Sequence, residues 1–170
     1  MDSKTAITLT RAQLQAILDD EGMDKLIERL VAATYEAIGG QLTADTLAML
    51  NADQATLLAY DILRSEVMDG GFVQLIHNGY GAFFFRNPFA KMMRIWGIAD
   101  LARLMNKAHK CYTRHGAAIE QECTDDEFMA LFEQYPDFDD LDDDFVAHEE
   151  EYTTLACQYI MSHLEVFTHE

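Results

Sequence analysis

The last third of the chain, residues 115–170, carries 17 aspartate and glutamate residues and no lysine or arginine. Residues 1–114 hold the other 13 acids and all 12 basic residues, so the formal net charge of −18 divides into −1 and −17. Whatever fold the chain adopts must therefore carry an electrostatic field of one sign along this third. Such a field selects the partners of a protein, and it favours basic ones.

The acidic residues are densest between residues 137 and 151, where nine of fifteen positions are acidic. In a helix, which rises about 1.5 Å per residue, this is about one negative charge per 2.5 Å. B-DNA carries about one per 1.7 Å of its axis, and a second copy of the chain alongside would close the gap. We therefore expect a rigid acidic ridge that imitates a phosphate backbone and meets the basic side chains of a DNA-binding partner. The expected contact residues are Asp125, Asp126, Glu127, Asp137, Asp139, Asp140, Asp142, Asp143, Asp144, Glu149, Glu150 and Glu151.

The composition is that of a folded protein, since 49% of the residues are hydrophobic and aromatic residues are plentiful. A length of 170 residues is most simply one domain, residues 1–170, with residues 115–170 as its acidic third. The amino terminus lacks the pattern of a signal peptide, and no apolar stretch reaches the roughly 18 residues that a membrane span needs. The three cysteines form no CxxC pair and predict reduced thiols in a cytoplasmic protein. A pI of about 4.4 argues against nucleic acid and membrane surfaces as direct partners.

Hydrophobic periodicity and helix-stop residues predict an all-α protein of about eight or nine helices. The predicted helices cover about residues 11–20, 23–38, 44–50, 52–68, 72–77, 88–96, 98–115, 125–135 and 142 onwards. Thr10 and Thr124 are expected as N-caps, and Asn87 with Pro88 as an N-cap followed by a proline at the first helical position. We predict a helix break at residues 69–71, a turn at residues 78–81, a loop at residues 82–85 and a helix end at Gly116. His148 falls on the predicted buried stripe of the last helix, where a core histidine is commoner than a ligand.

The helix predicted over residues 98–115 carries the only basic stripe of the chain, spaced four, three and four residues apart. Its members are Arg103, Lys107, Lys110 and Arg114. Nucleic-acid binding through this stripe is disfavoured by the overall charge of the protein. We expect the stripe to dock against acids of its own chain or of a dimer mate, or to form the solvent-exposed side of an amphipathic helix.

A calcium site is the first alternative use of the acidic residues. Asp140, Asp142, Asp144 and Glu151 occupy positions 1, 3, 5 and 12 of an EF-hand loop, but the sixth position, which requires glycine, is Phe145. The surrounding residues favour a continuous helix instead. A calcium loop is therefore the weaker prediction.

Transition metals and catalysis offer two further alternatives. His109, Cys111 and His115 are close in sequence, but the first two point to different sides of a helix. No HExxH or CxxC motif occurs, and no nucleophile and base can be paired from the sequence. We predict no catalytic residue, no metal and no cofactor. The alternative to a DNA-mimicking surface is a small helical metal-binding or enzymatic protein whose acidity serves solubility only.

Residues 66–81 contain the pattern E-x3-G-G-F-x-Q-x3-N-G-x-G. The residues that carry it are Glu66, Gly70, Gly71, Phe72, Gln74, Asn78, Gly79 and Gly81. From the residues alone, we interpret the pattern as a helix break that lets backbones approach closely, with Gln74 and Asn78 hydrogen-bonding the turn.

The pattern resembles the signature of a bacterial family of helical domains, and the resemblance covers about residues 23–163. Asp69 stands where that family often has asparagine, and residues 75–76 are aliphatic where it often has aromatics. Within the family, the chain is similar to acidic DNA-mimic members. The resemblance implies an all-helical homodimer whose negative surface imitates duplex DNA. It also implies a partner, namely a helix-turn-helix transcription regulator that is kept off its operator when its DNA-binding face is occupied.

Overall fold

The computed structural model describes residues 6–169 and confirms the all-α prediction, since no strand occurs within that range. The α-helices are α1 (Arg11–Glu21), α2 (Met23–Ala37), α3 (Ala44–Leu47), α4 (Ala52–Leu75), α5 (Gly81–Phe85), α6 (Phe89–Ile95), α7 (Ala99–Ile119), α8 (Asp125–Gln134), α9 (Asp139–Ser162) and α10 (Leu164–Phe167). A π-helical turn (Ile76–Tyr80) follows α4, and a 3-10 turn (Pro136–Phe138) precedes α9. Residues 1–5 and Glu170, which belong to the predicted domain, lie outside the described range.

Local sequence signals place several helix ends correctly. The Thr10 hydroxyl accepts a hydrogen bond from the backbone N–H of Gln13, and the Gln13 side chain accepts one from the backbone N–H of Thr10. The Thr124 hydroxyl likewise accepts from the backbone N–H of Glu127 at the start of α8. Both bonds satisfy donors that a helix amino terminus leaves without intrahelical partners. The two N-cap predictions are therefore confirmed.

The predicted break at residues 69–71 is confirmed as a kink within α4. Gly70 and Gly71 leave helical geometry, and Gly71 adopts a φ of +72°. Residues 78–81 are more regular than the predicted turn, because they belong largely to the π-helical turn, in which Gly79 has a φ of +92°. Residues 82–85 were predicted as a loop, and this is wrong. They form α5, which buries Phe84 and Phe85, and a helix satisfies the backbone of such an apolar segment internally.

Three helix boundaries differ from the prediction. Gly116 does not end α7, which continues to Ile119. The glycine is buried inside the helix, and the Tyr112 ring occupies the space that a Cβ would need. Pro88 is the residue before α6 rather than its first helical residue, and the Asn87 side chain donates to the Phe83 carbonyl instead of capping. The last long helix begins at residue 139, directly after the 3-10 turn, rather than at residue 142.

The contacts of the chain group it into two units, whose boundaries fall within α4, after residue 61, and within α9, after residue 152. We call residues 6–61 with residues 153–169 the terminal unit, and residues 62–152 the central unit. The prediction of a single domain over residues 1–170 stays a prediction.

In the terminal unit, α1 packs against α2, and the apolar sides of α2 and of the first half of α4 are buried. The first and last described segments of the chain meet in this unit. His169 donates its backbone N–H to the Ile7 carbonyl, and the Ile7 N–H donates to the His169 ring. The Arg11 guanidinium donates to the Met161 carbonyl. Hydrogen bonds therefore join these two segments.

In the central unit, α7 is the element on which α5 and α6 pack. Its apolar side is fully buried, and Phe85 stacks on Tyr112 with the ring centroids 4.9 Å apart. Phe72, at the kink of α4, stacks on Phe138 of the 3-10 turn at 6.4 Å. These contacts fix the 3-10 turn, and with it the start of α9, on a rigid base. The acidic residues of the predicted ridge belong to this unit.

Candidate acidic interaction surface

The acidic residues of α9 divide into two sets according to their position around the helix. Successive residues are separated by about 100°, so the side of α9 that contains the buried Phe145 and Tyr152 faces the interior. Asp142 and Glu149, seven positions apart, lie next to this inner side and are half-buried. We call the acids on the other side the outward set: Asp139, Asp140, Asp143, Asp144, Glu150 and Glu151. All of them are exposed except Asp144, which is half-buried.

The outward set forms two rows along α9. One row contains Asp139, Asp143 and Glu150, and the other contains Asp140, Asp144 and Glu151. Each row has a spacing of four and then seven residues, which keeps its members on one side of a helix. Six charges over about 18 Å of helix amount to about one per 3 Å. This is close to the density of one strand of B-DNA, about one charge per 3.4 Å.

Asp144, a member of the outward set, has an ion-pair partner on the same helix. The His148 ring nitrogen Nδ1 lies 2.9 Å from the Asp144 carboxylate and 2.8 Å from the Asp144 carbonyl oxygen. The backbone contact, followed by the nearby negative charges, raises the pKa of His148. The prediction that His148 lies on the buried stripe is wrong, because the imidazole is exposed and is stabilised there by its acidic neighbour.

Asp142 faces the interior and serves the fold. Its carboxylate accepts a hydrogen bond from the backbone N–H of Phe72, at 2.8 Å. A Cβ on Gly71 would overlap this carboxylate, so the glycine is required both by its positive φ and by the close approach. Burial, with smaller contributions from the charges of Asp139 and Asp143, raises the pKa of Asp142 to about 6, while the hydrogen bond from the Phe72 N–H opposes the shift.

Two more of the predicted contact residues have partners within the central unit. Glu149 lies 3.6 Å from the Arg64 guanidinium, and both side chains are about 15% exposed. Asp137 lies 3.1 Å from the His115 ring and 3.8 Å from Arg114, and its hydrogen bond to His115 lowers the pKa of the Asp137 carboxyl. Together with Asp142, these acids contribute to the structure of the unit itself.

The first turn of α8 supplies a second group of exposed carboxylates. Asp125, Asp126 and Glu127 directly follow the Thr124 N-cap, and all three are exposed. Acidic side chains are favoured there because the helix amino terminus carries a partial positive charge. The charge of the helix end is therefore enough to explain why these three positions are acidic. It does not explain acids that lie farther along a helix.

The basic stripe on α7 lies beside α9. Arg103 and Lys107 line a shallow cleft together with Asp144, His148 and Tyr152. Arg103 also forms an ion pair with Asp100, one turn earlier on α7. At the other end of the stripe, the Arg114 contact with Asp137 joins it to the residues before α9. All four residues of the stripe are exposed, as expected for the solvent-facing side of an amphipathic helix, and Arg114 contacts an acid of the same chain outside α7.

The motif of residues 66–81 braces the kink of α4. Gln74 donates to Glu66 at 3.0 Å and to Asp69 at 2.9 Å, and Asn78 donates to Glu66 at 2.9 Å. The Glu66 carboxylate therefore accepts hydrogen bonds from both side-chain amides, whereas the sequence predicted that these amides would hydrogen-bond the turn. Gly81 at the end of the motif has a Tyr112 ring where a Cβ would lie. Each of these contacts is structural.

The calcium alternative, which the sequence disfavoured, does not fit the structure. Helix α9 is continuous from residue 139 to residue 162, so the four acids of an EF-hand loop cannot wrap an ion. Between residues 6 and 169, no group of three or more His, Cys, Asp and Glu side chains is arranged to hold a metal ion. His109 stacks on Phe85, whereas His115 contacts Asp137. The two histidines therefore have different contact residues. No helix in the described part of the chain is both long and apolar enough to span a bilayer.

The contact between Cys123 and His77 in the central unit could not be predicted from the sequence. Cys123 lies beside His77, although 46 residues separate them. Neither residue belongs to a spacing motif, so their approach depends entirely on the fold.

Comparison with known proteins agrees with the helical architecture. Residues 48–163 match the family described as DMP19-like protein. The chain is also 37% identical over 145 residues to the DNA mimic protein DMP19 of Neisseria meningitidis serogroup B (strain ATCC BAA-335 / MC58). That match covers 85% of this chain and 87% of the relative. The family match contains the kink of α4, the first turn of α8 and the whole of α9.

Proposed function

Because the chain belongs to the DMP19-like protein family, we propose that it is a DNA mimic that binds the DNA-binding face of a basic protein. The proposed partner is a helix-turn-helix transcription regulator, which loses its operator DNA when that face is occupied. The protein acts by this proposal as a competitor rather than as an enzyme. Its relative is named a DNA mimic protein, and the acidic surface of the central unit is the feature that supports the same role here.

The single observation that carries the proposal is the outward set of α9. Its two rows of carboxylates stand on one continuous helix at about the charge density of a DNA strand. Proteins that bind DNA hold its phosphates with lysine and arginine side chains, and those side chains fix the register of the complex. Carboxylates on a helix can replace the phosphates as partners of these basic side chains. Because the helix already holds them at fixed positions, binding does not have to order a flexible segment first. The inward-facing Asp142 and Glu149 are excluded from the proposed contact surface.

We further propose that the protein acts in the cytoplasm as a homodimer. One α9 supplies about the charge of one DNA strand, so two copies supply the charge of a duplex. With a chain mass of 19.3 kDa, sedimentation equilibrium should give about twice that value. A mass equal to that of one chain at micromolar concentration would refute the dimer and leave competition by a single acidic helix.

Competition with operator DNA tests the proposal directly. The immobilised protein is used at low salt to capture a helix-turn-helix regulator, which is then purified and bound to its own operator duplex. Stoichiometric addition of the protein should release the duplex in a gel-shift assay. Because the contacts are between opposite charges, the inhibition should weaken steeply as salt is raised.

Two variants with the same net charge separate a specific surface from general acidity. The first neutralises five exposed members of the outward set: Asp139→Asn, Asp140→Asn, Asp143→Asn, Glu150→Gln and Glu151→Gln. The second neutralises five exposed acids elsewhere: Asp19→Asn, Asp20→Asn, Glu21→Gln, Glu36→Gln and Asp45→Asn. Only the first should abolish release of the duplex. Equal inhibition by both variants, or an operator complex that survives stoichiometric wild-type protein at low salt, would rule out the proposal.

A further inference from the structure

A thiol and an imidazole meet in the central unit. The Sγ of Cys123 lies 3.9 Å from Nε2 of His77, and both side chains are half-buried. The Phe128 ring packs against the imidazole, with the two centroids 4.7 Å apart. The pair lies outside the outward set of α9 and is used by no step of the proposed competition.

The hydrogen bond of the other ring nitrogen of His77 determines which nitrogen of the neutral ring carries the proton. Nδ1 lies 2.8 Å from the backbone carbonyl oxygen of Ile119, which can only accept a hydrogen bond. Nδ1 therefore carries the proton, and in the neutral ring Nε2 is left as the acceptor that faces Cys123. A nucleophile, a base and a third group that orients the base are thus arranged in order, as in activated thiols.

The other two cysteines have different surroundings. Cys111 and Cys157 are 6% and 4% exposed, and their thiols point to the carbonyl oxygens of Asp137 and Met23. The Arg114 guanidinium also donates to the Cys111 sulfur at 3.6 Å, but a guanidinium cannot accept the thiol proton and the sulfur is buried from a reagent. A carbonyl oxygen accepts a hydrogen bond from a thiol but does not remove its proton at neutral pH. Cys123 is therefore the cysteine of this chain that combines access to solvent with a contact to a base.

From this geometry we propose that Cys123 is a site of reversible disulfide modification, with His77 as its base. In the step, the S–H proton of Cys123 passes to Nε2 of His77, and the sulfur attacks one sulfur of a small disulfide. The S–S bond of that disulfide breaks as the new S–S bond to Cys123 forms. The departing thiolate takes the proton from the imidazolium, so one disulfide is exchanged for another with no external oxidant or reductant.

The charges near Cys123 define the class of disulfide that reacts. Glu122 precedes it, and Asp125, Asp126 and Glu127 follow within four residues; all four are exposed. These carboxylates attract a cationic reagent and repel an anionic one. The substrate class is therefore small cationic disulfides, and an adduct would lie directly before the N-cap of α8.

The test measures modification of the full-length protein by cystamine, which is cationic, and by glutathione disulfide, which is anionic. Intact mass gives the rate and peptide mapping gives the site, and each rate is divided by that of a small free thiol with the same reagent. We expect Cys123 to react about ten times or more faster than Cys111 and Cys157. Cystamine should be favoured over glutathione disulfide, and added salt should reduce the preference.

His77→Asn is the matched variant. The asparagine amide can still donate to the Ile119 carbonyl, but the base at Nε2 is lost. We expect the Cys123 rate to fall about tenfold or more, while the rates of the other two thiols and the thermal midpoint stay unchanged.

Three results would overturn the proposal: equal Cys123 rates in the wild-type protein and His77→Asn, a Cys123 no faster than the buried thiols, or a preference for glutathione disulfide. If His77→Asn fails to fold, His77→Gln takes its place, and the wild-type comparisons of Cys123 with the buried thiols and of cystamine with glutathione disulfide need neither variant. None of these measurements depends on DNA mimicry, so the two proposals fail or succeed separately.

Discussion

Replacing Asp142 with asparagine should stabilise the protein at neutral pH, although it removes a hydrogen-bonded carboxylate. The carboxylate is half-buried and accepts one hydrogen bond from the Phe72 backbone N–H. An amide oxygen of the same size can accept that bond without bringing a charge into the interior. The Asp139 and Asp143 charges nearby make the ionised form still less favourable. The substitution therefore removes a desolvated charge and keeps its contact.

The magnitude follows from the pKa of Asp142, which rises from 3.8 to about 6. A shift of about two pKa units corresponds to about 3 kcal/mol of differential interaction between the charged and neutral forms. Solvent screening reduces this for a half-buried group, and the amino-terminal end of α9 favours a negative charge by about 0.3–1 kcal/mol. We therefore expect Asp142→Asn to raise the free energy of unfolding by about 1–2 kcal/mol at neutral pH.

The gain should depend on pH in a definite direction. Because the pKa is higher in the folded chain, the folded state binds the proton more tightly than the unfolded state. As the pH rises from 3.8 to about 6, the Asp142 carboxyl ionises in the unfolded chain before it does so in the folded chain. Its contribution to the unfolding free energy of the wild-type protein therefore falls across this window. Below the window both states are protonated, and the variant and wild-type proteins should have similar stability. Above the window the full advantage of Asp142→Asn should be present.

Urea unfolding followed by circular dichroism at about pH 4 and about pH 7.5 measures both ends of this window. Asp143→Asn is the matched control, because it removes one charge from the adjacent, exposed position of the same helix. It should change the unfolding free energy by no more than about 0.5 kcal/mol. The protein concentration is the same for every variant, because self-association would make the measured stability depend on concentration. An equal gain in both variants, a gain that persists at the acidic end, or a loss of stability in Asp142→Asn would refute the reasoning.

Gly71→Ala should lower the unfolding free energy by more than about 2 kcal/mol, because its Cβ meets a carboxylate of α9 and its φ is +72°. Gly39→Ala, at a φ of +89° with open space around it, should cost about 1 kcal/mol, and chemical denaturation of both variants checks the difference. Glu149→Gln should destabilise by about 1–3 kcal/mol, because it weakens a largely buried ion pair with Arg64. Glu150→Gln, one position further on α9 and exposed, should change stability by less than about 0.5 kcal/mol in the same measurement.

Features with a local cause could be predicted from the sequence. Thr10 and Thr124 cap their helices because a hydroxyl reaches the backbone N–H three residues later. The kink at Gly70 and Gly71 was predicted because two adjacent glycines stabilise a helix poorly. The all-α class followed from the apolar periodicity of the chain. In each case the residues that determine the structure lie within about one helical turn of one another.

Features with a distant cause could not be predicted. Gly116 reads as a helix stop, but it is retained inside α7 because the Tyr112 ring occupies the space of a side chain. Helical spacing from Phe145 and Tyr152 separates Asp142 and Glu149 from the outward set, but it does not show what these two inward acids contact. Asp142 accepts its hydrogen bond from the Phe72 N–H, seventy residues away along the chain. The structural role of Asp142 therefore required the fold, while the acidic contact surface stays a prediction.

The amino-terminal end of α9 stabilises some of the outward acids but not others, and the acids that it does not stabilise are the more informative ones for function. Asp139, Asp140 and Asp143 lie in or near the first turn, where the partial positive charge of the helix end stabilises them. That effect is lost beyond the first turn, so it does not reach Glu150 and Glu151, about three turns along. Neither position has another acid three or four residues away on α9, so like-charge pairs of that spacing do not weaken the helix there. Both side chains are exposed, and charges at such positions change the free energy of unfolding little. Under the proposed function these two charges act on the basic partner, so Glu150→Gln with Glu151→Gln should reduce partner binding and change the free energy of unfolding by less than about 0.5 kcal/mol.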